Sequence, residues 1–333
     1  MKREQFTTHS TYLGRDMHAI AYGEAGAYPV VAVPTQDAMA DEWEGFGMVG
    51  VLAPLIDAGR IQLFCVDTVD HDSWTDGSGD DERRAATQEA YYDYLVEELL
   101  AEVHERNGSE VRPLAVGCDL GATQAALLAL RRPDLFQGCV ALSGLYRTSR
   151  FFGDWMNDTL YDNDICTFLS NMEPTHPYVR LYNERQLVFC VGQGAWEDSI
   201  DDLRVISEEF DRLGVGAWCD FWGFDVSHDW PWWKRQIAYF LPIVLDQASA
   251  QAEAGEKDAG PEGEGEPGAT DAEAADSGAA GRRAGEEESL RLVKEKGARR
   301  FAPAQGADDM VGACSIVPER RKGEAPLNWI AEG

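Results

Sequence analysis

Over residues 1–247 short apolar runs alternate with stretches of helical pattern, and nothing else in the chain restricts its fold as strongly. Residues 30–33 (VVAV), 61–66 (IQLFCV), 114–117 (LAVG), 139–142 (CVAL), 187–191 (LVFCV) and 217–222 (AWCDFW) have the length of strands. They lack the in–out alternation of a half-exposed sheet, so both faces are expected to be covered. Between them the pattern predicts helices over about 46–58, 87–106, 120–131, 199–213 and 231–245. Strand and helix taking turns predict an α/β fold, a mostly parallel, doubly covered sheet. Segment 144–180 breaks the rhythm, and its polar and aromatic run RFFGDWMNDTLYDND reads as an inserted loop or cap.

Near residue 248 the alternation stops. No aromatic residue occurs between Phe240 and Phe301, and most of that stretch is Ala, Gly, Glu, Asp and Pro. Such a composition buries too little apolar surface to offset the entropy of ordering. The expectation is one domain over 1–247 and an acidic, mostly disordered tail over 248–333. A short helix is possible over 286–296, where acids precede bases.

The chain carries 59 acidic and 29 basic residues, a formal net charge of −30. Charge of this sign repels phosphate backbones and anionic lipid, so neither nucleic acid nor a membrane is an expected partner; a small molecule or a protein is. No apolar run approaches the ~20 residues of a membrane span. The opening MKREQFTTHSTYLG lacks the apolar stretch of a secretory signal. The seven cysteines form no CxxC pair and several sit inside apolar runs, which reads as free thiols in a reducing, cytoplasmic setting. No metal-ligand spacing or phosphate-binding glycine loop is present, so no metal or cofactor is expected. The acidic segment 71–81 (HDSWTDGSGDD) reads as a solvated loop, and the six tryptophans from Trp196 to Trp233 as core packing.

Residues able to carry chemistry follow the ends of predicted strands. Val116-Gly117-Cys118-Asp119-Leu120-Gly121-Ala122 runs from a strand through small residues into an Ala/Leu-rich helix. That is the layout of the nucleophile elbow G-x-S-x-G, whose glycines permit a turn that lifts the central side chain above the sheet. The central residue here is Asp119; Cys118, one position off, is expected to pack away from the site. Glu197 and Asp198 follow the fifth strand and His228 the sixth. Nucleophile, acid, histidine is the chain order of this fold's triad. Glu197 and Asp198 also fit as acids at the start of a helix, and His228 alone fits a core histidine.

With these blocks in place the chain resembles the “putative esterase” family of α/β-hydrolases, which includes esterase D and the secreted mycolyltransferases. The matching stretches are PVVAVPTQDAMADEWEGFGM, GRIQLFCVDTVDHDSW, VGCDLGATQAALLALRRPDLFQGCVALSG, FCVGQGAWED and DFWGFDVSHDWPWW. The resemblance implies an α/β-hydrolase fold over about 28–245. It also implies a base at His228 and an orienting acid at Glu197, or alternatively Asp198. An oxyanion hole would take its donors from the backbone at Leu120 and from the loop at Gln36 and Asp37.

Two departures bear on activity. The elbow serine is Asp119, and the loop that reads Pro-Thr-Ser-Gly-Gly in relatives is Pro34-Thr35-Gln36-Asp37-Ala38. An aspartate beside a developing oxyanion opposes its charge, and loss of one donor alone costs about 10²–10³ in rate. Aspartate at this elbow is also the nucleophile of haloalkane dehalogenases and epoxide hydrolases, which VGCDLGA resembles as well. Attack on an alkyl carbon gives an ester that a histidine can hydrolyse through water. Attack on a carboxylic ester gives an anhydride, and carboxylate leaves it more readily than alkoxide does, so the step reverses. Three readings stand: an esterase-family protein with its serine chemistry lost or altered, a hydrolase using Asp119 on an alkyl carbon, and a non-catalytic binding module.

Overall fold

The computed structural model describes residues 1–258, and the side chains of residues 1–248. The predicted tail beyond 258, the helix over 286–296 and Cys314 lie outside the described residues.

Eight strands form one sheet: β1 Arg3–Ser10, β2 Arg15–Tyr22, β3 Tyr28–Val33, β4 Ile61–Val66, β5 Leu114–Cys118, β6 Gly138–Leu142, β7 Gln186–Val191 and β8 Trp218–Phe221. Their order is β1-β2-β4-β3-β5-β6-β7-β8. The pairs β1–β2 and β2–β4 are antiparallel and every other pair is parallel. Side chains alternate between two apolar layers. Val31 and Val33 of β3 face one, Val30 and Ala32 the other; on β5, Ala115 faces the first, and Leu114, Val116 and Cys118 the second. Helices cover both faces, which is why the inner strands read as unbroken apolar runs.

The helices are α1 Glu42–Gly45, α2 Met48–Asp57, α3 Asp81–Asp93, α4 Leu100–Asn107, α5 Leu120–Arg131, α6 Ser149–Phe152, α7 Asp158–Asp162, α8 Ile165–Ser170, α9 Pro177–Asn183, α10 Ile200–Leu213 and α11 Trp230–Asp258. A single turn of wider π-helix, Tyr94–Leu99, joins α3 to α4. No helix among the described residues is long and apolar enough to cross a membrane.

The structure differs from the expectations in four places. The hairpin β1–β2 precedes the first predicted strand. The helix expected from 87 begins at Asp81, where Asp80 caps it by accepting from the Arg83 N–H (3.1 Å). The segment read as a solvated loop is anchored by Trp74, 1% exposed, whose indole N–H donates to Gln88 (2.7 Å). Helix α11 runs past residue 247 to Asp258. Segment 144–180 folds into the short helices α6 to α9, three of them capped by side chains: Asn157 accepts from the Leu160 N–H, Asp164 from the Thr167 N–H and His176 from the Tyr178 N–H.

Candidate active site

Asp119 stands at the turn from β5 into α5 with φ 56° and ψ −131°. An L-residue seldom adopts this conformation, and it points the side chain away from the core. Two glycines make the turn possible. A Cβ on Gly117 would sit 2.2 Å from the Gly121 carbonyl oxygen, and one on Gly121 would sit 2.1 Å from that of Pro34. Chain segments this close leave no room for any side chain. Cys118 is fully buried in the opposite layer, as its position off the centre predicts, and burial drives its thiol pKa well up.

His228, in the loop after β8, lies between two carboxylates. Its Nε2 is 3.2 Å from Asp119 Oδ1 and its Nδ1 is 3.3 Å from Glu197 Oε2. The side chains of His228, Asp119 and Glu197 are 16%, 15% and 0% exposed. Glu197 is further fixed on its other oxygen, Oε1, by the Ser143 hydroxyl (2.7 Å) and the Gly192 N–H (3.0 Å). Asp198, the alternative acid, points to solvent and faces Arg150 (3.9 Å). Burial alone lowers the pKa of the imidazole. Hydrogen bonds to Asp119 and Glu197, with their negative charges, outweigh it and lift His228 to about 9. At neutral pH the ring therefore holds both protons and donates to both carboxylates; a ring in that state has no lone pair with which to act as a base.

The second oxygen of Asp119 reaches the loop that follows β3. Gln36 N–H donates to Asp119 Oδ2 (3.0 Å), so this backbone donor is engaged by the carboxylate. Leu120, fully buried, opens α5 beside it with a first-turn N–H free of helical partners. Asp37 turns its carboxylate away, accepting from Thr75 Oγ1 (2.5 Å) and facing His71 Nδ1 (3.3 Å). Its N–H donates to Asp70 Oδ2 (3.0 Å). Burial, with the charge of Asp37 nearby, pushes Asp70 up to about 7. Thr35 donates through its N–H to Glu42 (2.8 Å), whose pKa is raised by burial and by the charge of Asp119.

All four non-glycine residues with positive φ among the described residues are here: Asp37, Asp119, Ser143 and Trp196. They follow the ends of β3, β5, β6 and β7. Strain gathered in this way marks a site whose surroundings hold the backbone in place. Ser143 and Trp233 complete it; Ser143 was not singled out from sequence, and Trp233 was read only as core packing. The Trp233 indole N–H donates to Ser143 Oγ (3.1 Å), and the ring stands edge-on to His228 at 4.9 Å. The expectation that the tryptophans pack in the core holds for Trp233, whereas Trp196 is 76% exposed. No group of three or more His, Cys, Asp or Glu side chains among the described residues is arranged to hold a metal ion.

A family profile described as “Putative esterase” matches residues 10–243. Among solved structures the chain is similar to a ferulic acid esterase, at 15% identity and TM-score 0.60, over 74% of this chain and 98% of that one. It is also similar to MPT51 of Mycobacterium tuberculosis, at 16% identity and TM-score 0.58, over 74% and 99%. An S-formylglutathione hydrolase from Agrobacterium tumefaciens matches at 13% identity and TM-score 0.56, over 74% and 95%. None of the curated proteins matches the chain in sequence.

Proposed function

The chain belongs to the “Putative esterase” family of α/β-hydrolases, and on that premise we propose that it is a member in which serine-esterase chemistry is lost. Asp119, His228 and Glu197 occupy the positions of nucleophile, base and acid, and the reading assigns them a closed ion triple. The observation that carries it is the double engagement of Asp119, with Oδ1 on the imidazole and Oδ2 on the Gln36 N–H. The side chain in the nucleophile position thus fills part of the oxyanion hole at Gln36 and Leu120 and keeps the would-be base protonated. What remains is a scaffold for binding a small molecule or a protein, with no cofactor, in the cytoplasmic setting that the free thiols suggest.

A second reading rests on the same contact. With Oδ2 on the hole donor, an alkyl ester formed at Oδ1 would already have its carbonyl oxygen polarised for attack by water. This would be the epoxide or haloalkane chemistry of an aspartate nucleophile. It requires His228 to lose a proton, so its rate would rise with pH toward about 9.

The test is a screen of the purified chain against p-nitrophenyl acetate, an epoxide and a haloalkane, alongside Asp119→Ser and the same variant with Gln36→Ser, Asp37→Gly and Ala38→Gly. The wild type is expected to leave the ester untouched. The fourfold variant is expected to label with a fluorophosphonate and to hydrolyse the ester well above Asp119→Ser alone. Ester turnover by the wild type that Asp119→Ala abolishes overturns the reading. Turnover of the epoxide or haloalkane selects the second one.

A further inference from the structure

The two loops that carry Glu197 and His228 also build an outward lip. They are tied to each other by backbone hydrogen bonds: Gly194 N–H to the Val226 carbonyl (2.8 Å), His228 N–H to that of Ala195 (3.0 Å) and Gln193 N–H to that of Gly223 (3.3 Å). On one loop Trp196 is 76% exposed and on the other Phe224 is 83% exposed. Neither ring stacks on another ring among the described residues.

Trp196 is the more telling of the two. Its φ of 62° reverses the chain so that the next residue, Glu197, turns inward to Ser143, Gly192 and His228. Glycine or asparagine would make that turn with less strain. The indole contributes neither to the turn nor to the core, so what it offers faces outward. The same two loops carry exposed carboxylates, Asp198 on one and Asp225 and Asp229 on the other. Asp225 and Asp229 enter no ion pair among the described residues. Arg150, by contrast, already faces Asp198 and Asp202.

We infer that this lip is a docking surface for an extended, arginine-bearing basic segment of a protein partner. Exposed Trp and Phe faces accept guanidinium groups by cation–π contact, and the flanking carboxylates take the remaining charge. The net charge of −30 selects for a basic partner and against a second copy of this chain. Aromatic anchors within a polar rim are the common anatomy of such a surface. The inference is independent of the reading of Asp119, because the lip can hold a partner whether or not the site turns over.

The experiment uses the full chain and a fluorescein-labelled peptide alternating arginine with glycine, beside its lysine counterpart, at physiological salt. The arginine peptide is expected to bind several-fold tighter than the lysine one. Trp196→Gly combined with Phe224→Ser is expected to weaken it by about tenfold or more. Asp225→Asn with Asp229→Asn is expected to weaken both peptides. The aromatic variants should melt no lower than wild type, since both rings are exposed and Trp196→Gly relieves the positive φ; the single Phe224→Ser variant checks the same loss without altering that turn. Equal binding of the two peptides, or binding unchanged in the double aromatic variant, reduces the effect to diffuse attraction by an acidic chain and overturns the proposal. A wild-type dimer that becomes a monomer in the aromatic variant assigns the lip to a second copy and overturns it as well.

Discussion

Asp119 accepts from one backbone donor and one protonated ring, and that ring in turn donates to the buried Glu197. The consequence for stability has a definite sign. The pKa of His228 in the fold, about 9, lies above its ordinary value of about 6.5. The stabilisation from the ion triple is therefore complete below pH ~6.5 and is lost as pH rises through about 9, to a total of roughly 3 kcal/mol. Asp119→Asn removes one of the two charges that hold the proton. The ring resonances of His228 should then titrate closer to the ordinary value, and unfolding free energy measured in denaturant should fall less between pH 6.5 and 9 than in the wild type. An unchanged titration would place the source of the shift elsewhere. Ser143 acts one step further out, holding Glu197 Oε1 while Oε2 faces the imidazole.

Trp74 shows how an element can hide in a polar sequence. Its ring meets Phe151 and Phe152 edge-on, and Arg84 donates to the carbonyls of Ser73, Trp74 and Phe151, so the acidic loop is pinned to α6. Trp74→Ala is expected to cost about 3–5 kcal/mol in a denaturant titration, where a solvated loop position would cost under about 0.5. The same contrast explains which elements were legible from sequence. Strands β3 to β7 are covered on both faces and announce themselves as apolar runs. In the β1–β2 hairpin only Phe6, Met17, Ala19 and Ala21 join the first apolar layer, amid charged and polar neighbours, so its period is drowned. Asp119, Glu197 and His228, which meet in the structure, could be picked out because each follows a predicted strand in the chain order of the fold's triad. The family resemblance pointed to Gln36 as a donor position, but the hydrogen bond from its N–H to Asp119 Oδ2 was not legible, since the partner of a backbone donor leaves no mark in a sequence. Ser143 was not, since its role depends on a positive φ and on a tryptophan ninety residues away.

At the scale of the whole molecule the net charge of −30 sets the terms. Like charges spread over one surface repel, and the screening length shrinks from about 30 Å at 0.01 M salt to about 8 Å at 0.15 M. The melting temperature should therefore rise on adding simple salt over that range; a fall would mean that attractive pairs, such as Arg131–Glu89 and Arg106–Glu4, outweigh the repulsion. The repulsion also acts between molecules. Among the described residues the sheet ends at β8, a strand of Trp218, Cys219, Asp220 and Phe221 that is half-buried throughout, with no strand on its far side. An open edge of this kind is a template for the edge of another copy. Burial raises the pKa of Asp220, so this carboxylate gives up its charge early as a solution is acidified, while the rest of the surface follows. Colloidal stability should thus follow protonation: as the carboxylates that keep copies apart near neutrality lose their charge in acid, the edge at β8 is expected to pair between copies, which light scattering across an acid titration checks.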